Sequence, residues 1–281
     1  MGNTTDARPG GIFANRVRDL IRMSEHSPRA SDFLTPSEQK EALDAAASSG
    51  AASRCFFWGG APDAERRLAL FLPEWLSPEG TFGGAFDPRR EETVREIILE
   101  GAGGDELSEC IVPLEVSGGA YTELSHRDYL GAVTALGIMR SATGDIVKTG
   151  ASSAIVFATP PAAKLILSEL TSVGRERVEV RRTRLDRTFR IEREYEVITD
   201  TVMSCRLDGI VKALCGISRD DAAKLVESGD VMLNYTKEKR TDARVAAGDI
   251  ISVRGHGKFI FDGDRGVNRR GRLRIDARKY V

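Results

Sequence analysis

Two arginines and one aspartate in the last third of the chain have the types and the spacing to hold an anion. Arg206-Leu207-Asp208 opens one predicted helix, and Ser218-Arg219 opens the next. A guanidinium can donate two parallel hydrogen bonds to a phosphate and can also lie flat on a nucleobase. We therefore expect Arg206 and Arg219 to contact a polyanion such as folded RNA, with Asp208 capping the helix or orienting Arg206.

The aspartate also allows a catalytic interpretation. Pseudouridine synthases carry their catalytic aspartate in a similar Arg-Leu-Asp setting, but they usually continue with a Thr-Gly pair. This chain continues with Gly209-Ile210-Val211 instead. We therefore expect Asp208 to have a structural role, and we expect that the protein is not an enzyme.

A second catalytic resemblance lies in the middle of the chain. His126-Arg127-Asp128 resembles a kinase catalytic loop, yet Val133 stands where that loop needs asparagine. Ser125, with Asp128 three residues after it, instead predicts the start of a helix with a capping box.

The cysteines and histidines do not predict a metal centre. Cys55, Cys110, Cys205 and Cys215 show no Cys-x-x-Cys spacing, and the three histidines are scattered. We expect neither a zinc site, nor a cofactor, nor a disulfide framework, which is typical of a reducing cytoplasm.

Two short helices and a small sheet must position the two arginines. Apolar residues at positions 207, 210, 211 and 214 form one helical stripe. Ser218 predicts the cap of the second helix, and Gly229 predicts its end. Val231 and Leu233 then alternate as a strand with one buried face.

Charge is concentrated in this segment. Residues 203–281 hold 17 basic and 11 acidic side chains, a net charge of +6, whereas residues 1–202 carry −7. A positive pole on a nearly neutral chain favours a polyanion, because binding releases counterions. The candidate RNA-binding residues are Arg206, Arg219, Lys224, Asn234, Lys237, Lys239, Arg254 and Lys258.

The rest of the chain predicts an α+β protein of several domains. We expect an N-terminal α/β domain over 1–78, a linker or insertion over 79–104, and a middle domain over 105–185. A linker over 186–202 and an RNA-binding domain over 203–281 follow. The middle domain has the strand-helix-strand-strand-helix-strand order of the ferredoxin-like fold, as in RNA recognition motifs. Its sequence offers only Phe157 where such motifs stack bases on paired aromatics.

The bulk composition is that of a globular protein. It is 41% hydrophobic and 30% charged, with no apolar run long enough to span a membrane and no secretory signal at its start. We expect a cytoplasmic protein without a membrane partner. Trp58 and Trp75 each stand among apolar residues and are expected in the core or at a domain contact.

The last domain resembles the S-four RNA-binding domain from about Met203 to Phe261, on the Arg-Leu-Asp, Ser-Arg and Gly-Asp segments. Most of the chain also resembles the YlmH family of bacterial proteins. The segments that carry this second resemblance are Phe33-Leu34-Thr35-Pro36, Phe57 to Leu72, His126 to Gly131, Leu136-Gly137-Ile138 and Gly144-Asp145-Ile146.

This resemblance implies a non-enzymatic factor of ribosome-associated quality control. Its expected partners are the large ribosomal subunit, through ribosomal RNA and peptidyl-tRNA, and an elongation factor that adds C-terminal alanine tails to stalled chains. Arg206, Arg219 and Lys224 match the family's RNA-facing positions. The alternatives are an RNA-modifying enzyme of the pseudouridine synthase or methyltransferase type with an appended S-four domain, and a factor of ribosome biogenesis.

Overall fold

A computed structural model of the chain describes residues 9–78, 88–119, 123–192 and 195–280. It is a mixed α/β structure that divides into two compact units, Met1–Ile191 and Glu192–Val281. The described residues form a three-stranded, a five-stranded and a six-stranded sheet.

The first unit alternates helices and strands along the chain. Its elements are α1 (Pro9–Met23), β1 (Arg29–Leu34), α2 (Pro36–Ser48), β2 (Cys55–Trp58), β3 (Arg67–Phe71), α3 (Pro88–Leu99), α4 (Asp105–Ser108), β4 (Val112–Gly118), α5 (His126–Ala135), β5 (Thr143–Lys148), β6 (Ser153–Ala158), α6 (Pro160–Glu169), β7 (Ser172–Val173) and β8 (Glu176–Arg182).

The three-stranded sheet has the antiparallel order β1-β3-β2, and α1 and α2 pack on one of its faces. Thr35 caps α2 in a capping box with Glu38, and Pro36 is the first helical residue. β1 was not predicted, because its sequence, Arg-Ala-Ser-Asp-Phe-Leu, has little apolar alternation. The prediction for Trp75 was wrong: its side chain is 68% exposed, whereas Trp58 is buried.

The middle of the chain has the predicted order of strands and helices. Its sheet runs β5-β6-β4-β8-β7, and every pairing in it is antiparallel. Helices α5 and α6 cover one face. Ser125 accepts the amide of Asp128 and starts α5 through a capping box, as predicted.

The other face of this sheet packs inside the first unit. Phe157 is fully buried there with Phe33, Phe56 and Ile111. Any side chain at Gly60 would collide with the Phe157 ring, since a Cβ there would lie 2.4 Å from it. A nucleobase therefore cannot stack on Phe157 in this structure, and the segment 88–99 contributes Val94 to the same core.

Polar contacts also join the two sheets of the first unit. The Asp145 carboxylate accepts the backbone amides of Glu65 and Arg66 at 2.7 and 3.1 Å. The Arg66 guanidinium donates to the carbonyl oxygens of Thr143 and Phe33, at 3.1 Å each. The segments around Phe33 and Asp145 therefore connect the sheets, which is a structural role.

The second unit combines two helices with the six-stranded sheet. Its elements are β9 (Tyr195–Val202), α7 (Leu207–Cys215), α8 (Arg219–Ser228), β10 (Val231–Leu233), β11 (Thr236–Lys237), β12 (Ile250–Val253), β13 (Gly257–Val267) and β14 (Leu273–Tyr280). The sheet order is β11-β10-β12-β13-β14-β9, and its pairings are antiparallel.

The predicted helices and their ends are confirmed in the second unit. Leu207, Ile210 and Val211 are buried against Phe259 and Phe261 of the sheet. Ser218 caps α8 by accepting the amide of Asp221, and Gly229 ends the helix in the left-handed conformation with φ 80°.

One strand lies where a linker was predicted. β9 falls within 186–202, and each of its residues pairs with β14. Val202 at its end is buried in the core of the second unit. This strand therefore belongs structurally to the sheet that follows it.

Candidate nucleic-acid interface

The entrance of α7 is fixed by a distant stretch of the chain. The first amides of the helix, from Leu207 and Asp208, donate to the carbonyl oxygens of Ala243 and Thr241 at 2.8 and 3.0 Å. Helix starts leave such amides without intrahelical partners, so these contacts satisfy them. Residue Arg206 pairs with Arg244 in an isolated antiparallel bridge.

Asp208 connects the entrances of both helices. Its Oδ2 accepts hydrogen bonds from Arg219 Nη2 at 3.0 Å and Nε at 3.2 Å, and its Oδ1 accepts from Arg206 Nε at 3.2 Å. Oδ1 also accepts the backbone amide of Gly209 at 2.8 Å. The predicted orienting role of Asp208 is therefore present, and it extends to Arg219.

Burial and hydrogen bonding act in opposite directions on this carboxyl. The Asp208 side chain is buried, and burial alone would raise its pKa. The hydrogen bonds from Arg206, Arg219 and Gly209 outweigh this effect, and the net pKa lies below the ordinary value. Asp208 therefore stays a carboxylate and keeps both guanidinium groups in place.

The two arginines turn their remaining donors to solvent. The Arg206 side chain is 43% exposed and that of Arg219 is 59% exposed. A guanidinium has five N–H donors, and Arg219 uses only its Nε and Nη2 on Asp208. The pair is thus pre-positioned to bind phosphate or to stack on a base.

A third arginine lies beside this pair and was missed. Arg244 is exposed, and its backbone bridge to Arg206 places the two residues side by side. No local pattern marks Arg244, since it lies in an irregular stretch 38 positions after Arg206. Its place depends on a long-range backbone pairing that spacing alone cannot reveal. Together, Arg206, Arg219 and Arg244 form what we call the entrance cluster.

Lys224 does not share a helix face with Arg219. The two residues are five positions apart in α8, so their side chains point about 140° apart around a helix of 3.6 residues per turn. Lys224 is exposed, with its Nζ 3.6 Å from Asp221 Oδ1.

Three of the predicted residues gather at the other end of α8. Lys237 and Lys239 are exposed and approach Gly229, where a Cβ would lie 3.4 Å from Lys239 Cε. Arg254 Nη1 lies 3.3 Å from Asp230 Oδ1. A ten-residue helix is about 15 Å long, so this second basic group is separate from the entrance cluster.

Asn234 shapes a turn. Its Oδ1 accepts the amide of Ile250 at 2.9 Å, and its Nδ2 donates to Asp249 at 2.8 Å. Its φ of 48° is left-handed, a conformation that asparagine tolerates better than most residues. Its proposed RNA contact stays a prediction.

Lys258 lies on the sheet, and its aromatic contacts are with residues outside the entrance cluster. Its Nζ stands 4.9 Å from the ring centroid of Tyr235 and 4.7 Å from that of Tyr280. The eight predicted residues are therefore distributed over several surfaces of the second unit.

The cysteines are free thiols. Burial raises the pKa of Cys55 and Cys110 to about 12 and that of Cys215 to about 11. Among the described residues, no group of three or more His, Cys, Asp or Glu side chains is placed to hold a metal ion. Within the same residues, none of the helices has the length and apolar character needed to cross a membrane.

Comparisons with known proteins match both the middle of the chain and nearly its full length. Residues 115–187 match the family model described as "Putative RNA-binding domain in YlmH". The Ribosome-associated protein quality control protein P2 of Bacillus subtilis (strain 168) is 26% identical over 259 residues, which cover 91% of this chain and 88% of that protein.

A solved structure is also similar. The Cell division protein ylmH from Streptococcus pneumoniae aligns with a TM-score of 0.43 and 19% identity, over 66% of this chain and 94% of that one. The family-model match and the relative that spans most of the chain agree with the motifs found along the sequence. The resemblance to the YlmH family that the sequence motifs indicate is therefore confirmed by both matches.

Proposed function

We propose that this protein is an RNA-binding factor that associates with the large ribosomal subunit in the cytoplasm of a bacterium. It contacts ribosomal RNA and peptidyl-tRNA, and it supports the addition of C-terminal alanine tails to stalled nascent chains by a partner elongation factor. The observation that carries the RNA-binding part is the entrance cluster, in which Asp208 orders the guanidinium groups of Arg206 and Arg219 and leaves them open to solvent.

The names of the matched proteins support the rest of the proposal. The family model is described as an RNA-binding domain, and the relative that covers 91% of the chain is named as a ribosome-associated quality control protein. Alanine tailing and the elongation-factor partner follow from the family resemblance and are the most specific parts of the proposal.

We also propose that the protein performs no chemistry on its RNA. Both oxygens of Asp208 accept hydrogen bonds, and the side chain is buried, which suits a positioning residue better than a nucleophile. We expect tRNA and ribosomal RNA incubated with the protein to gain neither pseudouridine nor methyl groups in mass spectrometry. A new modification that disappears in Asp208→Asn would instead support the synthase alternative.

The central test removes the entrance cluster and measures sedimentation with purified large subunits. We expect Arg206→Ala with Arg219→Ala to abolish co-sedimentation, since each lost charge-assisted contact weakens binding by about 1.5 to 3 kcal/mol. Arg244→Ala alone leaves the contacts of Asp208 intact and should weaken association by about tenfold, at about 1.4 kcal/mol per factor of ten.

A matched control distinguishes a general loss of positive charge from the loss of the entrance cluster itself. Arg18→Ala with Arg22→Ala removes the same charge from α1, where both side chains are exposed and Arg22 forms an ion pair with exposed Asp19. Exposed pairs of this kind contribute little to stability, so this variant should fold and sediment like the wild type. Co-sedimentation that persists in both entrance-cluster variants would contradict the proposed surface.

RNA crosslinking in cells tests the identity of the partner. We expect crosslinks on large-subunit ribosomal RNA and on tRNA, and their loss in the Arg206→Ala, Arg219→Ala variant. Crosslinks confined to one small-subunit helix or to messenger RNA would contradict the quality-control role. Alanine tailing is tested in cells that lack the protein. Fewer alanine tails in these cells, together with binding of the purified protein to large subunits, would support the tailing part specifically.

A further inference from the structure

The six-stranded sheet has a second face, opposite to α7 and α8. Because side chains alternate along a strand, Phe259, Phe261 and Ile275 lie under the helices and are at most 1% exposed. Their neighbours point the other way and form what we call the outer sheet face. The residues of this face used below are Tyr195, Val197, Lys258, Arg274, Arg278 and Tyr280.

Three arginines surround an open groove on this face. The groove has a volume of about 580 Å³, and Arg265, Arg274 and Arg278 contribute to its lining. This volume falls in the range of sites that hold small molecules or single ligand groups. Val197 of edge strand β9 borders the groove and is 72% exposed, so the groove is open to solvent at this edge of the sheet.

The groove arginines are held in different ways. The Arg278 guanidinium makes a two-point contact with Asp262, at 2.7 Å from Nη2 and 3.0 Å from Nε. Arg265 forms an ion pair with Asp276. Arg274 is exposed and has no ion-pair partner within the described ranges. Two guanidinium groups are thus oriented by carboxylates, while a third is available to an anion.

Aromatic rings lie next to the groove. Tyr195 and Tyr280 pair edge to face, with ring centroids 5.1 Å apart. The Arg278 guanidinium lies 5.0 Å from the centroid of Tyr195, and Lys258 Nζ lies 4.7 Å from that of Tyr280. Tyrosine rings among cationic side chains are the arrangement on which single-stranded nucleic acids stack their bases.

The register of β9 turns the acidic side chains of this strand away from the outer sheet face. Glu196 and Asp200 pair with Lys279 and Ile275, on the side of the sheet that carries the helices. Val197 and Thr199 alternate with them and face outward. The outer sheet face carries two acidic side chains, Asp262 and Asp276, against four basic ones: Arg265, Arg274, Arg278 and Lys258. Its net charge is therefore positive and complementary to a polyanion.

We propose that the outer sheet face binds an unpaired segment of RNA, with phosphates at Arg274 and its neighbouring arginines and a base stacked at Tyr195 and Tyr280. This inference rests on the proposed RNA-binding function and adds a second contact to it. The entrance cluster then holds folded RNA, while the opposite side of the sheet holds a single-stranded part of the same or a nearby molecule.

The test uses the full chain and a fluorescein-labelled oligouridine of 12 nucleotides, followed by fluorescence anisotropy at several salt concentrations. The expected result for Arg274→Ala is binding about fivefold weaker or more, with a lower salt dependence, because one phosphate contact is lost. Tyr195→Ala should weaken binding at least fivefold through the loss of base stacking. Circular dichroism checks that each variant is folded.

Two controls make the outcome specific. Arg22→Ala removes one exposed charge from α1 and should bind oligouridine like the wild type. Arg206→Ala with Arg219→Ala is the comparison variant: it should lose the large subunit, and its loss of oligouridine affinity should be smaller than that of Arg274→Ala, because these arginines bind folded RNA in our proposal.

Several results would overturn the outer sheet face as an RNA site. One is wild-type affinity in folded Arg274→Ala and Tyr195→Ala variants, and another is a wild-type protein that does not bind oligouridine. Loss of oligouridine binding only in the entrance-cluster variant would place the single strand there instead. A concentration-dependent dimer abolished by Val197→Asp, with RNA binding unchanged, would identify the face as a contact between two copies. None of these results changes the outcome of the co-sedimentation experiment with large subunits, which tests the proposed function separately.

Discussion

At the scale of single residues, Asp208 determines how Arg206 and Arg219 of the entrance cluster present their guanidinium groups. A buried carboxylate is costly unless it is paired, and here two arginines and a backbone amide satisfy it. The arrangement also reduces the freedom of two long side chains before any RNA arrives, which lowers the entropic cost of binding. One residue thereby connects stability of the helix pair to the presentation of its guanidinium groups.

We expect Asp208→Asn to lower the free energy of unfolding by about 1 to 3 kcal/mol at neutral pH, because two charge-assisted contacts are lost at constant size. The folded pKa of Asp208 is lowered, so its contribution is fully present above the unfolded pKa of about 4 and is lost as the pH falls through the folded value. Urea unfolding of both proteins between neutral and acidic pH should show the gap closing below about pH 4. A gap that stays constant with pH would contradict the role of the charge.

At the scale of elements, helix starts and ends set the positions of the basic groups. Ser218 starts α8 directly before Arg219, and Gly229 ends it beside Lys237 and Lys239. The basic groups therefore lie at opposite ends of one short helix, where cations at the C-terminal end also complement the helix dipole. A single rigid element thus sets the distance between two candidate RNA contacts.

We expect Ser218→Ala to destabilise the protein by about 1 kcal/mol, the usual effect of losing an N-cap, and to weaken large-subunit binding through a less ordered Arg219. Ser125→Ala is the matched control, because it removes the cap of α5 in the first unit. It should cost a similar amount of stability and leave binding unchanged. Chemical denaturation and co-sedimentation of both variants give the comparison, and equal binding in the two would argue against a positioning role of the α8 start.

At the scale of the whole molecule, each unit has its own core. In the first unit, the face of the five-stranded sheet opposite to α5 and α6 packs inside the unit, and Phe157 is buried in that contact. In the second unit, strand β9 completes the sheet beside β14 and contributes Val202 to the core. The strand also carries Tyr195 and Val197, so it builds the outer sheet face as well.

We expect a fragment of residues 192–281 to fold independently and a fragment of residues 203–281 to be markedly less stable. Without β9, the edge of β14 loses its partner strand, and the buried side chain of Val202, worth about 1.5 to 3 kcal/mol, is lost. An unpaired edge also promotes association between chains. Thermal unfolding and light scattering of the two fragments test this, and equal midpoints would show that β9 is dispensable.

The sequence by itself determined what depends on near neighbours in the chain. The apolar stripe of α7, the caps at Ser125 and Ser218, the glycine end of α8 and the order of elements in the middle domain follow from local patterns. Those patterns reflect hydrogen bonds and side-chain spacing within a few residues. Arg206, Asp208 and Arg219 could be named as candidates for the same reason, since each stands at the start of a helix.

Only the tertiary structure decided which of these residues come together. Long-range pairing placed Arg244 beside Arg206, buried Phe157 in a core, and made part of the predicted linker into strand β9. It also separated Lys237, Lys239 and Lys258 from the entrance cluster with which their charge had grouped them. Charge and composition identify candidate residues, whereas contacts between distant segments fix their positions in space, because strand partners and core neighbours are not encoded by local spacing.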